Sequence, residues 1–254
     1  MFLQEKLALV IPTLGEIRCL PRLLAEVREI LAGLNVPFEI LVVDDDSGDG
    51  TEELVSSIAA EDARVRLLVR RGERGLAGAI LHGWQHTDAS LLGVMDADLQ
   101  HPPLVLRELL VAVCSDHDLA IASRFAGARG MQRFHPLRRW ISAVSIWLTW
   151  PLQRAASRFR GANRVKDPLS GYFIVRRHCV ENIAFQTTGF KLLLEILMRG
   201  RIGAVVEIPF AFGRRAGGRS KASVKVAWNY LQLLTRLYRS RHSEARLPAE
   251  IQTD

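Results

Sequence analysis

The stretch LALVIPTLGEIRCLPRLLAEVREILAGLNVPFEILVV, Leu7 to Val43, decides the fold. Leu7–Ile11 and Ile40–Val43 are short apolar runs bounded by turn or acidic residues, the pattern of strands buried on both faces. Between them Leu20, Leu23, Leu24, Val27, Ile30, Leu31 and Leu34 recur every three or four residues, Pro21 suits a first helical turn, and Gly33 sits near the end. Together they make a β-α-β unit. The alternation continues with a helix expected after Thr51, a strand over Val65–Val69, a helix from Leu76 to His86 and a strand ending at Met95. A helix after Pro103 and a strand over Leu119–Ala122 follow. Such repetition builds an α/β, doubly wound, mostly parallel sheet with helices on both faces, whose ligands bind outside the carboxyl ends of the strands.

That rule gives three clusters one address. Asp44, Asp45 and Asp46 follow one strand, Asp96 and Asp98 a second, and Pro12-Thr13 a third, so all should open onto one crevice. Side chains two residues apart on a strand share a face. Asp96 and Asp98 can therefore converge on one hard cation, with Gln100 next in phase if the extended backbone persists, and oxygen ligands of this kind favour magnesium or manganese. The plain alternatives are solvated turn carboxylates for Asp96 and Asp98 and helix N-terminal acids for Asp44 and Asp45. His101, beside this cluster, reads as a supporting or turn residue rather than a ligand. Gly72, Gly75 and Gly78 lack the dinucleotide-binding spacing and read as tight turning.

The chain has 254 residues, 48% of them hydrophobic, enough for one sizeable core and too apolar for disorder. Cys19, Cys114 and Cys179 are odd in number and without metal-ligand spacing, so neither a disulfide framework nor a zinc site is expected. With no signal-peptide pattern at the N-terminus, the cytoplasm is the expected compartment. The net charge is +7, yet Arg124 to Arg177 holds twelve Lys or Arg against one acid, Asp167, a local +11. Such a concentration calls for an anionic partner: nucleic acid, a membrane surface or a phosphorylated substrate.

Within that segment Trp140–Gln153 carries no charge, but fourteen residues fall short of the roughly twenty that span a bilayer as a helix. Ile141, Val144, Leu148 and Leu152 form one helical face and Arg138, Ser142, Ser145 and Thr149 another, which suits either an interfacial or a core-packing helix. A second amphipathic stretch, Val224 to Tyr238, puts Ala227, Trp228, Leu231 and Leu234 on its apolar side, with the same two readings. The expected division is a catalytic domain over 1–221, an amphipathic helix over 222–242 and a flexible tail over 243–254.

Eight blocks in order resemble the polyprenyl-phosphate glycosyltransferases of the dolichyl-phosphate mannose synthase type, within glycosyltransferase family 2. They are Val10-Ile11-Pro12-Thr13 with Glu16; Val42 to Ser47 with Asp49-Gly50-Thr51; Gly75-Leu76 with Ala79 and Gly83; and Asp96 to Pro103. Ser123-Arg124, Asp167 to Gly171, Gly189-Phe190-Lys191 with Glu195, and Arg215 with Gly218, Ser220 and Lys221 complete them. The resemblance implies a GT-A fold and an inverting, metal-dependent transferase. Its nucleotide-sugar would be held by Pro12, Thr13, Glu16, Asp44, Asp45, Asp96, Arg215 and Lys221, and its Mg2+ or Mn2+ by Asp96, Asp98 and Gln100. Arg124, Arg138 and Ser142 match positions that contact the acceptor phosphate, and Asp98 and Arg124 would carry the chemistry. Asp167 and Glu195 read as structural groups close to the site.

The same resemblance implies a hexose moved to a polyprenyl phosphate, dolichyl or undecaprenyl, with GDP-mannose the leading donor and UDP-sugars sharing the motifs. A lipid monophosphate is already anionic, so its oxygen attacks without a base, whereas a saccharide acceptor would need one. A basic nucleic-acid or membrane-surface binding protein is the non-enzyme alternative, and the acidic crevice argues against nucleic acid. Leu14 and Gly15 depart from the usual aromatic and asparagine before Glu16, and Ala77 from a common glycine. No transmembrane segment follows Lys221, so the expected location is the cytoplasmic face of the membrane, reached through the interfacial helices or a membrane-bound partner.

Overall fold

A computed structural model describes residues 5–127, 136–155, 164–186, 191–211, 213 and 230–239, with the backbone alone for 136–141, 154 and 155. Arg215, Lys221, the Gly189-Phe190 pair, the side chain of Arg138 and the expected tail lie outside this description. The strands are β1 (Leu7–Thr13), β2 (Phe38–Asp44), β3 (Val65–Val69), β4 (Leu91–Val94), β5 (Leu119–Ser123), β6 (Phe173–Arg176) and β7 (Val205–Pro209). The helices are α1 (Leu20–Ala32), α2 (Thr51–Glu61), α3 (Leu76–Gln85), α4 (Val105–Cys114), α5 (Pro136–Trp147), α6 (Trp150–Ala155) and α7 (Leu192–Arg199), with α8 over residues 230–239.

The strands form one seven-stranded sheet in the order β3-β2-β1-β4-β6-β5-β7. β1 pairs in parallel with β2 and β4, β2 with β3, and β5 with β7, while β6 runs antiparallel between β4 and β5. The expected α/β architecture is therefore present, with one strand reversed. Alternate residues of the central strands bury against opposite layers. Leu7, Leu9 and Ile11 face α1 and α4 residues such as Leu24 and Leu109, and Ala8 and Val10 face Ile80 and Trp84 of α3 and Leu193 of α7.

Two expectations need correction. Trp140–Gln153 is not one helix, because the chain turns at Leu148-Thr149 between α5 and α6. Thr149, placed on the polar face by the wheel, is fully buried, its hydroxyl donating to the Ile146 carbonyl and accepting from Gln153 Nε2 at 3.0 Å. In α8 the inward residues are Tyr230, Leu233, Leu234 and Leu237, which join Leu152 and Leu194 in a third apolar cluster, and Leu231 is exposed. The described part of this helix thus packs on the protein, and its apolar face is set by Tyr230 and Leu237 rather than Leu231.

α3 shows why Gly83 stands where it does. A Cβ there would come within 2.7 and 2.9 Å of the two Val10 methyls and 3.3 Å of a Val43 methyl. These β-branched side chains sit on buried strands and have little rotamer freedom to retreat. We expect Gly83→Ala to cost about 1–3 kcal/mol in denaturant unfolding despite the gain in helix propensity of about 1 kcal/mol. A stabilised variant would contradict this packing.

Candidate active site

The carboxyl ends of β1, β2 and β4 supply the acidic floor. Thr13 ends β1 opposite Asp44 in the parallel register, and the Asp45 N–H donates to the Thr13 carbonyl at 3.1 Å. Asp44 is fully buried, and its carboxylate receives the Ser47 hydroxyl and, at 3.1 Å, the Ser47 N–H. The Ser47 hydroxyl in turn accepts from Gly15 N–H at 2.9 Å, and Asp49 accepts from Ile17 N–H at 3.3 Å and from Thr51. The loop carrying Glu16 is thus tied to the loop after β2. The Thr13 hydroxyl is buried and has no hydrogen-bond partner among the described residues. An unsatisfied buried hydroxyl costs about 1–3 kcal/mol, which a polar ligand at this strand end would recover.

Asp45 is engaged within the protein. Its carboxylate is buried and accepts from Arg70 Nη1 at 2.6 Å and from Gly75 N–H at 2.7 Å. It therefore fixes the glycine-bearing turn to the end of β2, and the N-terminus of α3 already faces a carboxylate.

β4 ends at Val94, and the chain enters a turn at Ala97-Asp98, with Leu99 left-handed at φ 59°. The strand phase that would have aligned Gln100 with Asp96 and Asp98 is lost here. Asp98 Oδ1 instead accepts the Gln100 N–H at 3.1 Å, a local Asx turn. Gln100 is buried and clips Gly213 from both sides, its carbonyl accepting Gly213 N–H at 2.9 Å and its Nε2 donating to the Gly213 carbonyl at 3.4 Å. Gly213 is the last described residue before the segment carrying Arg215 and Lys221.

His101 is a positioning residue. Its Nδ1 accepts the Asp96 N–H at 3.3 Å, so the ring donates from Nε2, and it stacks on Tyr172 at 5.1 Å. Burial, then the Arg124 charge, lowers its pKa to about 3 and keeps it neutral.

The positive side begins at Arg124, directly after β5. Asp167 is fully buried and takes three bonds from Arg124: the backbone N–H at 3.0 Å, Nε at 2.8 Å and Nη2 at 2.7 Å. Burial alone would lower the Arg124 pKa, but hydrogen-bonded Asp167, with Asp96 beyond it, raises it above the ordinary value. The loop holding Asp167 is anchored throughout. Val165 N–H donates to Gln153 Oε1, Lys166 and Asp167 N–H to Glu207, and the Ser170 hydroxyl to the Ala122 carbonyl. It ends by pressing Gly171 on Asp96, where a Cβ would lie 3.1 and 3.2 Å from the two carboxylate oxygens. The loop that holds Arg124 therefore also abuts the Asp96 carboxylate, and both signs of charge meet in one place.

Lys191, named in a motif but given no role by the sequence reading, belongs to this side. Burial and the Arg124 charge bring its ammonium down to about 8 against the pull of Asp167. It lies 5.2 Å from the centre of the Tyr230 ring, and the Tyr230 hydroxyl donates to the Ser145 carbonyl of α5. Ser142 lies half-buried one turn earlier on the same helix. Glu195 is buried and accepts from Gln186 N–H and Arg199, a structural use. Of the tryptophans, Trp150 is covered by the Arg164 guanidinium at 3.7 Å and Trp147 is 58% exposed.

A hard divalent cation fits the Asp96 corner. The offered donors are carboxylate oxygens, and the glycine at 171 leaves Asp96 half-exposed where a side chain would cover it.

Comparison with known proteins agrees with this geometry. Residues 8–184 match the family described as Glycosyl transferase family 2. The chain is 38% identical over 232 residues to the dolichol-phosphate mannosyltransferase of Pyrococcus furiosus, covering 91% of this chain and 63% of that protein. It spans, then, somewhat less than two thirds of that relative's length. It is 37% identical over 209 residues to the protein of the same name from Saccharomyces cerevisiae, covering 79% of this chain and 74% of the other. In fold it resembles glucosyl-3-phosphoglycerate synthase from Mycobacterium tuberculosis, solved with Mn2+, UDP-glucose and phosphoglyceric acid. The TM-score is 0.66 at 19% identity, over 92% of this chain and 80% of that one.

The Arg124–Asp167 pair yields a stability test. Removing one partner of a buried pair strands the other charge, so Asp167→Ala should cost about 3 kcal/mol or more in denaturant unfolding. A change below about 1 kcal/mol would mean that Arg124 finds water or another anion with ease.

Proposed function

The chain belongs to glycosyltransferase family 2, and from that premise we propose that it moves a hexose, mannose first, from a nucleotide-sugar to a polyprenyl phosphate with inversion. The observation that carries this reading is the meeting of Asp96 with the Arg124–Asp167 loop, an oxygen-rich floor beside a cationic wall. The names of the relatives point the same way. They include a polyprenol monophosphomannose synthase from Mycolicibacterium smegmatis and an undecaprenyl-phosphate mannosyltransferase from Micrococcus luteus, each 33% identical.

In this reading the nucleoside lies over the ends of β1 and β2, where the Thr13 hydroxyl lacks a partner among the described residues and Pro12, Glu16 and Asp44 line the strand ends. Asp45 contributes from behind, by holding the turn at Gly75. Asp96, Asp98 and the Gln100 amide would hold Mg2+ or Mn2+, which when bound neutralises charge on the nucleotide diphosphate. Asp98 and Gln100 are preset by the Asx turn, and His101 fixes the backbone at Asp96. Arg215 and Lys221 are proposed to reach the diphosphate from the segment that Gly213 anchors at Gln100.

On the acceptor side Asp167 engages the Nε edge of Arg124 and holds the guanidinium still, oriented before the phosphate arrives. Lys191, Arg138 and Ser142 complete that anion site. The phosphate oxygen forms its bond to the anomeric carbon as the bond to the diphosphate breaks, and the electron pair leaves with the nucleoside diphosphate. No proton moves. This suits the site, because His101 is neutral with Nδ1 engaged and the Asp167 oxygens are filled by Arg124. A saccharide hydroxyl would require a base that neither residue supplies.

The proposed place of action is the cytoplasmic membrane surface, met directly or through a membrane-bound partner. Among the described residues no helix is long and apolar enough to cross a membrane. Exposed Trp147 on α5 and Leu231 on α8 support surface contact.

Purified protein incubated with a short polyprenyl phosphate, Mg2+ or Mn2+ and radiolabelled GDP-mannose should move label into the organic phase, more than with UDP-glucose. EDTA or Asp98→Asn should reduce the transfer at least about 100-fold. Label appearing only on water-soluble saccharide would overturn the acceptor assignment, and full activity in EDTA the metal assignment. Arg124→Lys, which keeps charge but loses the planar fork, should raise KM for the lipid phosphate about tenfold with little change for the nucleotide-sugar. Unchanged lipid kinetics would remove Arg124 from the acceptor site.

A further inference from the structure

At the opposite end of the sheet the fold assembles a second group of metal-binding side chains that glycosyl transfer does not use. Asp118 lies just before β5. β6 runs antiparallel beside that strand, so it delivers His178 and Cys179, in the 3-10 turn Arg177–Cys179, to the same corner. We propose that Asp118, His178 and Cys179 form a cation site for a divalent ion of the zinc class. One ligand atom from each lies within 4.8 Å of the others.

The distances suit a tetrahedral ion. Zinc with usual bond lengths separates its nitrogen and sulfur ligands by about 3.6 Å, and its nitrogen and oxygen ligands by about 3.4 Å. Here Cys179 Sγ and His178 Nε2 are 3.4 Å apart, and His178 Nε2 and Asp118 Oδ1 3.8 Å. The second spacing must close by a few tenths of an ångström, which an exposed imidazole allows, and the third, from Cys179 Sγ to the Asp118 carboxylate, lies within 4.8 Å.

The carboxylate is already aimed. Asp118 Oδ2 accepts Gly203 N–H at 2.7 Å and Ala204 N–H at 2.9 Å, leaving Oδ1 toward the imidazole, the outer support that ordered metal ligands usually have. The turn is fixed too, since the Cys179 carbonyl accepts Arg201 N–H at 3.0 Å and Val180 N–H returns to the Arg177 carbonyl at 2.9 Å.

The donor set separates this site from the Asp96 corner. Thiolate and imidazole favour zinc-like ions, whereas carboxylate and amide oxygens favour magnesium and manganese. Three protein ligands leave a fourth position for water. The corner is a full β5 strand away from Arg124, about 20 Å along the sheet, so the ion would join β5, β6 and the approach to β7 without touching substrate. On binding, the Cys179 S–H bond breaks, a sulfur–metal bond forms and the proton passes to water. Three cysteines without ligand spacing gave no hint of this in the chain order, because Asp118 and His178 are sixty residues apart and meet only through the reversed strand.

The test is to titrate Co2+ into chelator-treated full-length protein in excess Mg2+, which occupies the oxygen site. One equivalent should give a sulfur-to-cobalt charge-transfer band, and Zn2+ should bleach it. Cys179→Ser should abolish the band, whereas Cys19→Ser and Cys114→Ser should keep it. Exposed His178→Ala, which should fold normally, should weaken Co2+ binding about tenfold or more. No band at one equivalent, a band that survives Cys179→Ser, or unchanged affinity in His178→Ala would each overturn the site.

Discussion

Everything in the crevice depends on the buried pair of Arg124 and Asp167. Taking two charges out of water costs several kcal/mol for each ion, and the pair persists only where geometry and additional hydrogen bonds return that cost. The structure meets the requirement with three bonds from Arg124 to one carboxylate. It also meets it with a loop anchored by Gln153, Glu207 and the Ala122 carbonyl. In the proposed reading, a guanidinium held this firmly receives the acceptor anion without reorganising.

The reversed strand β6 turns that local pair into a site. An all-parallel order would send the chain after Asp167 to the opposite end of the sheet before it could pair. Running antiparallel between β4 and β5, β6 lets the loop enter at the carboxyl end, beside both Arg124 and Asp96. The approach of Gly171 to Asp96 follows, and so does the delivery of His178 and Cys179 to Asp118 at the other end. One topological feature thus accounts for the meeting of opposite charges and for the group of metal-binding side chains far from it.

The first half of the chain was legible because its strands are apolar runs separated by helices of clear period, so β1 to β5 and α1 to α4 appear within a few residues of expectation. The second half was not. β6 has four residues, β7 is only partly buried, and α7 buries six successive residues, which erases the polar face that periodicity needs. The α5–α6 break falls in a continuous uncharged run whose one sequence signal is Pro151, in the first turn of α6, and Thr149 is buried at the break. At the site, residue types were legible and their duties less so. Asp96 and Arg124 lie close enough for the carboxylate to act on the guanidinium, although they follow different strands. The bonds of Asp45 to Arg70 and of His101 to Asp96 required coordinates, because both partners are distant or out of phase in the chain order.

The central claim, that a diphosphate-bound metal lies at Asp96 and Asp98 next to the Arg124 wall, is tested most directly by crystals grown with Mn2+ and a nucleoside diphosphate. An anomalous difference map should show one manganese peak within coordination distance of both aspartates, with the diphosphate on the side facing Arg124. No peak at the two aspartates, or a nucleotide bound away from the ends of β1 and β4, would contradict the account.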